Sequence, residues 1–417
     1  MSRIPVVVIG AGQAGLAVSR LLTTSGVEHV VLERGRVAER WASFGWESLR
    51  LLSPNWLSRL PDFRYTGPDP DGFMRATEVA AYLRSYADFA AAPVVEGADV
   101  TAVERRGARY RVTTGVGCWT AEAVVVATGW CDVPHVPALA TALDPRIEQV
   151  TPAGYRTPAD LAAGGVLVVG ASATGVQLAD EIARAGRKVV LAVGSHSRMP
   201  RRYRGLDIMW WLDAMGALDR RLDEHPAPAA ARTEPSLQLV GSASGRNVDL
   251  LSLHRRGVGL VGRLTGADGR WVGLADDLAE TTARADGKLR ALLRRIDVYA
   301  EAAGLTGEID APAPVRAVPT AGTVDRIDLH HAGISTVLWA TGYRREYPWL
   351  RVPVLSRTGD IQQTAGVTPS PGLYVVGQRW QSRRNSSFLD GVRHDAATVV
   401  EQVRAHLGAP LCGRTAA

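Results

Sequence analysis

Val6-Val7-Val8-Ile9-Gly10-Ala11-Gly12-Gln13-Ala14-Gly15 decides the fold of this 417-residue chain. Four apolar residues run without alternation, as in a strand buried on both faces. A G-x-G-x-x-G loop follows at once, and residues 14–25 then carry Leu16, Leu21 and Leu22 at helical spacing. Gly26 stops that helix, and residues 27–32 read as the next strand. The unit is a strand, a glycine turn and a helix whose N-terminus faces an anion. Gly10 permits the turn, Gly12 lets a pyrophosphate approach the backbone, and Gly15 lets helix and strand pack closely.

The same grammar recurs about 160 residues later. Val166-Leu167-Val168-Val169 leads into Gly170-Ala171-Ser172-Ala173-Thr174-Gly175, then a helical pattern at 176–184 and a strand at 188–193. One such loop arises by chance; two in the right context predict two bound nucleotides. The two units differ at the end of the second strand. The first ends in Glu33, an acid suited to ribose hydroxyls, which fits FAD or NAD. The second ends without an acid, and Ser195, Arg198, Arg201, Arg202 and Arg204 come next. Hydroxyl and guanidinium groups there suit a 2′-phosphate, hence NADPH.

The expected fold class is α/β, with two Rossmann-like dinucleotide-binding domains, the NADPH domain inserted into the FAD domain. The expected boundaries are 1–160 and 315–417 for FAD, and 161–314 for NADPH. Prolines at 134, 137, 145, 152 and 158 mark the outgoing linker, and Pro312 and Pro314 the return. Helices are expected at 78–89, 276–303 and 390–407, buried strands at 123–127, 334–339 and 372–377, and a surface loop at 225–235. Ala127-Thr128-Gly129 and Ala340-Thr341-Gly342 each close a buried strand, one at each domain crossing. After the last strand, Gly377-Gln378 leads to Ser386-Ser387-Phe388-Leu389-Asp390-Gly391. That places backbone N–H groups of a helix start where negative charge gathers on a reduced flavin.

Composition narrows the function. The net charge of +6 comes almost wholly from arginine, lysine occurring only at 188 and 288. No dense basic block with interleaved aromatics is present, so nucleic acid is not the expected partner. No apolar stretch is long enough to insert in a membrane, and a buried strand begins almost at residue 1, so the expectation is a cytoplasmic protein. Cys118, Cys131 and Cys412 form no C-x-x-C pair, which argues against dithiol redox chemistry. The nine His show no ligand spacing, so no metal is expected.

These motifs, with Arg40-Trp41, Trp46 to Trp56, Gly67 to Phe73 and Ser386 to Gly391, resemble the flavin-dependent monooxygenases with two dinucleotide-binding domains. That class holds the flavin-containing, Baeyer–Villiger and YUCCA-type enzymes. The likeness runs nearly full length and is strongest to a bacterial branch named for flavoproteins of cation transport. It implies FAD at the first loop, NADPH at the second, and residues 40–56 beside the isoalloxazine ring. The cofactor contacts it implies, added to the two loops and Glu33, are Arg34, Arg40, Trp41, Trp46, Leu51, Ser53, Val100, Ala127, Thr128, Gly129, Thr341, Gly342, Gly377, Gln378, Ser387 and Phe388. Asn55 and Arg50 are the candidate catalytic side chains, the amide of Asn55 reaching toward the oxygen adduct or the nicotinamide. Trp46, Trp56, Trp210 and Trp211 are candidate walls for an apolar substrate. Arg379, Arg383 and Arg384 are candidates for an anionic substrate or the cofactor phosphates.

One departure stands out. Where the class carries F-x-G-x-x-x-H-x-x-x-[WY], this chain has Pro145, Ile147 and Thr151, and only Tyr155 agrees. The expected activity is NADPH-dependent oxygenation of a small organic molecule with O₂ through a flavin C4a-hydroperoxide. Its alternatives are an NADPH:FAD oxidoreductase or oxidase without oxygen insertion, and a non-catalytic flavin redox sensor. A homodimer is the assembly common in the class.

Overall fold

A computed structural model describes residues 2–408 apart from 243, 321 and 323. Strand Ser2–Ile9 lies parallel between His29–Leu32 and Cys118–Val126, with Val8 opposite Val31 on one side and Val125 on the other. Val6, Val7 and Val8 are fully buried, which is why their run does not alternate. Among the described residues this sheet has seven strands. An antiparallel meander from Val100–Arg106 through Arg109–Thr114 to Cys118–Val126 extends it, and Leu373–Val375 joins Cys118–Val126 in parallel. Helices Gln13–Thr24 and Val392–His406 share one core beneath it, through Leu16, Leu22, Val399 and Val403.

The second large sheet is wholly parallel, in the order 148–150, 334–339, 165–169, 189–192, 259–261. This corrects the expected boundaries. Glu148–Val150 and Ile334–Trp339, expected in the first domain, both pair in the second. The Thr336 hydroxyl donates to Glu148 and the Trp339 indole to Gln149. Proline clusters mark loops and do not say which sheet the neighbouring strand joins. The chain crosses instead at Val133–Pro134 and Tyr343–Arg344, which pair antiparallel with each other just past the two Ala-Thr-Gly turns. Residues 225–235, expected as a loop, contain the short helix Pro228–Arg232.

Both glycine loops are built alike. Gly10 and Gly170 each sit at φ +105°, a conformation side chains avoid. A Cβ on Gly15 would stand 1.8 Å from the Gly10 carbonyl oxygen, and one on Gly175 the same 1.8 Å from that of Gly170.

His29 ties the first helix to the second strand. Its Nε2 meets the Ser19 hydroxyl at 2.8 Å and its Nδ1 the Val27 carbonyl at 3.0 Å. Burial holds this imidazole below its ordinary 6.5. The unfolded chain therefore takes up a proton at a higher pH than the folded one. The contribution is complete above that value and declines as pH falls through it. We expect the unfolding midpoint to drop between about pH 7.5 and 5.5, and His29→Gln to drop less; equal slopes for the two proteins would contradict this.

Candidate functional site

A cavity of about 720 Å³ lies where the two domains meet. Both glycine loops open into it: Gly10, Gly12, Gln13 and Ala14 from the first, Ala173 and Thr174 from the second. The N-cap residues of the two helices, Gly12 and Ser172, make no side-chain cap hydrogen bond. A Cβ on Gly12 would meet nothing within 4 Å. The first-turn N–H groups at both helix starts lack intrahelical partners, which suits each to an anionic group. Gly170 and Ser172 belong to the turn behind the second opening, and Gly15 and Gly175 to the first turns of the two helices.

Glu33 lines the cavity and holds the first loop in shape. Its carboxylate accepts from Ala11 N–H at 2.7 Å and from Gly35 N–H at 3.0 Å. Arg34, Arg40, Trp41, Trp46, Leu51, Ser53, Val100, Ala127, Thr128 and Gly129 form the walls. Trp41 donates to the Gln13 amide at 3.3 Å, and Gln13 donates to the Ser387 carbonyl at 3.4 Å. Gln13 thereby links the loop to both flanking segments. Arg40 lies 3.2 Å from the Phe44 ring centroid and donates to the carbonyls of Cys131 and Asp132. Gly377, Ser387 and Phe388 close the far side. Gln378 is turned away: its amide joins Arg345, the Gly129 carbonyl and Tyr347. Thr341 and Gly342 hold the crossing, the Thr341 hydroxyl and the Gly342 carbonyl both meeting His135 backbone.

Three expected roles are overturned. Asn55 is 4% exposed; its amide donates to the Asp69 carbonyl at 2.9 Å and accepts from Met74 N–H at 2.7 Å. Both ends are engaged in fastening the 67–74 loop, so it presents nothing to a reacting atom. Arg198 grips Asp249 and Asp286 at 2.9 and 2.6 Å, and these carboxylates hold its pKa above the ordinary value against burial. Arg201 is 1% exposed and bonds Asp207 and the Leu52 carbonyl. Neither guanidinium is open to a 2′-phosphate. Ser195 and Arg202 remain exposed in that stretch, the Arg202 guanidinium 3.4 Å from where a Cβ on Gly245 would be. Arg50 does line the cavity, while its guanidinium donates to the Phe73 carbonyl at 2.7 Å.

Of the four tryptophans expected at a substrate wall, only Trp46 lines the cavity; Trp56, Trp210 and Trp211 pack in a separate core with Tyr203 and Leu293. Trp130, Trp380, Met209, residues 234–237 and Leu239 take that place. Trp130 directly follows Ala127-Thr128-Gly129, a signal the sequence carried. Residues 234–237 and Leu239 carried none, because only the domain closure brings them there. Cys131 also lines the cavity, and burial pushes its thiol up to about 12. It therefore stays protonated near neutral pH and supplies no thiolate. Among the described residues no group of His, Cys, Asp and Glu could hold a metal ion, and no helix is long and apolar enough to cross a membrane. Cys412 lies outside the described residues.

A family model for pyridine nucleotide-disulphide oxidoreductases matches residues 7–209. The uncharacterized oxidoreductase CzcO-like of Geobacillus kaustophilus is 28% identical over 97% of this chain and 99% of that protein. Among solved structures, the flavin-containing monooxygenase from Stenotrophomonas maltophilia matches at TM-score 0.68 and 22% identity, over 98% of this chain and 100% of that one. OTEMO, solved in complex with FAD and NADP, matches at TM-score 0.54 and 15% identity, over 97% and 85%. The two solved structures share this chain's fold.

Replacing Arg198 by Met leaves Asp249 and Asp286 without their partner. The expected cost is about 3–5 kcal/mol of stability, read as a lowered unfolding midpoint. The ratio of activity with NADPH to activity with NADH should not change.

Proposed function

We propose that this protein is an FAD- and NADPH-dependent monooxygenase that oxygenates a small organic molecule with O₂. The observation that carries the reading is the pair of uncapped helix starts, each behind a glycine turn, opening into one cavity. Bound FAD would supply the redox chemistry, accepting hydride from the nicotinamide and reacting with O₂.

The protein's share is placement and exclusion of water. Gly12 and the N–H groups of Gln13 and Ala14 receive the pyrophosphate, and Glu33 stands on the ribose side. Trp41, Trp46 and Phe388 wall the space between the loops and keep water from the reacting centre. Helix Val392–His406, whose N-cap Gly391 makes no side-chain cap bond, points its positive end toward the Ser387–Leu389 wall, where it favours charge on a reduced ring. No acid–base residue is assigned.

The match to a reductase family favours a second reading, in which electrons pass on without oxygen insertion. One experiment separates them. The NADPH-reduced protein is mixed rapidly with oxygenated buffer, and flavin absorbance and hydrogen peroxide are followed. A lag before oxidised flavin returns, shortened by a substrate with less peroxide released, supports oxygenation. Immediate return with peroxide equal to the NADPH consumed, across a substrate panel that binds, refutes it.

The coenzyme preference has its own test. With Arg198 and Arg201 engaged, and Arg204 held by Asp297 and the Asp310 carbonyl, Arg202 is the guanidinium left for the 2′-phosphate. Arg202→Ala should raise KM for NADPH about tenfold, a loss of about 1.4 kcal/mol, and leave KM for NADH unchanged. Parallel changes with both coenzymes would remove Arg202 from that role.

A further inference from the structure

Two arginines outside both glycine loops make part of the cavity wall cationic. Arg379 and Arg384, just past the Gly377 turn, both line it. Arg379 donates to the Glu234 carbonyl and stands over the Trp130 ring, 4.9 Å from its centroid. No carboxylate is hydrogen-bonded to either guanidinium among the described residues. The charges around Arg384 are Glu234 on one side and Arg220 and Arg295 on the other.

Two other arginines, Arg59 and Arg198, are treated differently. Arg59 holds Asp213 and Asp390, and Arg198 holds Asp249 and Asp286; their pKa values rise. Those of Arg379 and Arg384 fall, with burial the largest cause. A guanidinium does not lose its proton in a protein, so these two are half-buried cations with no carboxylate hydrogen-bonded to them, an arrangement that an entering anion would improve. Beside them the lining is apolar: Trp130, Trp380 and Leu237.

We propose that Arg379 and Arg384 bind the carboxylate of an acid substrate whose apolar skeleton packs on Trp130 and Trp380. The proposal rests on the reading of this cavity as the oxygenation site. Planar guanidinium groups match a carboxylate in two-point hydrogen bonding, and anchoring it would fix the remainder of the molecule in the cleft. A cofactor phosphate is the other source of such an anion; the helix starts at Gly12 and Ser172 already offer phosphate sites.

The test is calorimetric titration of the flavin-loaded protein, without coenzyme, using phenylacetate and 4-phenylbutyrate and the corresponding neutral amides. Each acid should bind at least about tenfold more tightly than its amide, the scale of one charge-assisted hydrogen bond. In Arg379→Met and Arg384→Met that preference should collapse toward unity while the Kd for NADP⁺ holds. Equal binding of acid and amide by the unaltered protein overturns the proposal, as does no binding of either acid. So do variants that keep the preference and lose NADP⁺ affinity, which would assign the pair to a phosphate. Should a variant fail to fold, the acid–amide comparison on the unaltered protein decides. Binding is read without turnover, so a protein that selects acids yet releases only peroxide would refute oxygenation and leave this anion site standing.

Discussion

The contact of Gly15 with the carbonyl of Gly10, repeated by Gly175 on Gly170, is the constraint that sets the remaining geometry. No Cβ fits between them. Because helix and strand touch there, each helix starts immediately beside its strand end, and neither N-cap residue caps it with a side chain. The unsatisfied N–H groups are thereby left facing outward. A structural element that would normally be capped for stability is kept open, twice, and the two openings share one cavity. Burial of Val6 to Val8 and of Val166 to Val168 holds the strands on which both turns are built.

Between the domains, polar contacts do much of the joining. Arg59 sits between Asp213 of the second domain and Asp390, one residue before the N-cap of the last helix of the first. Within the second domain, Gln238 reaches back to the Ala171 carbonyl, and Gln177 to that of Leu239. These bonds fix residues 237–239, and with them the wall beside Arg379. The placement of that wall is a property of the closed pair, since neither domain alone contains both sides.

The features legible in the sequence were local. The two loops, their strands and helices, Glu33, and the Ala-Thr-Gly turns at 127–129 and 340–342 announce themselves because spacing and residue type suffice. The sheet membership of 148–150 and 334–339 was hidden, since pairing partners far apart in sequence leave no local mark. Arg198 and Arg201 were misread for a related reason. A run of arginines after a second strand looks like a phosphate site until Asp249, Asp286 and Asp207 are brought against it. Asn55 looked chemical and is structural, because its partners, the backbone of Asp69 and Met74, become visible only once the loop closes.

The pairing of Pro134 with Tyr343 bears on how one domain can be carried inside another. Holding open a long excursion in a chain has an entropic cost that grows with its contour length. Here the excursion's own folded body brings its two ends side by side. To the host the insert then behaves as a hairpin turn does, spanning a gap of one strand spacing, and its size becomes nearly irrelevant to the stability of the sheet it interrupts. The same adjacency means that a short peptide bridging residues 134 and 343 would restore an unbroken host chain.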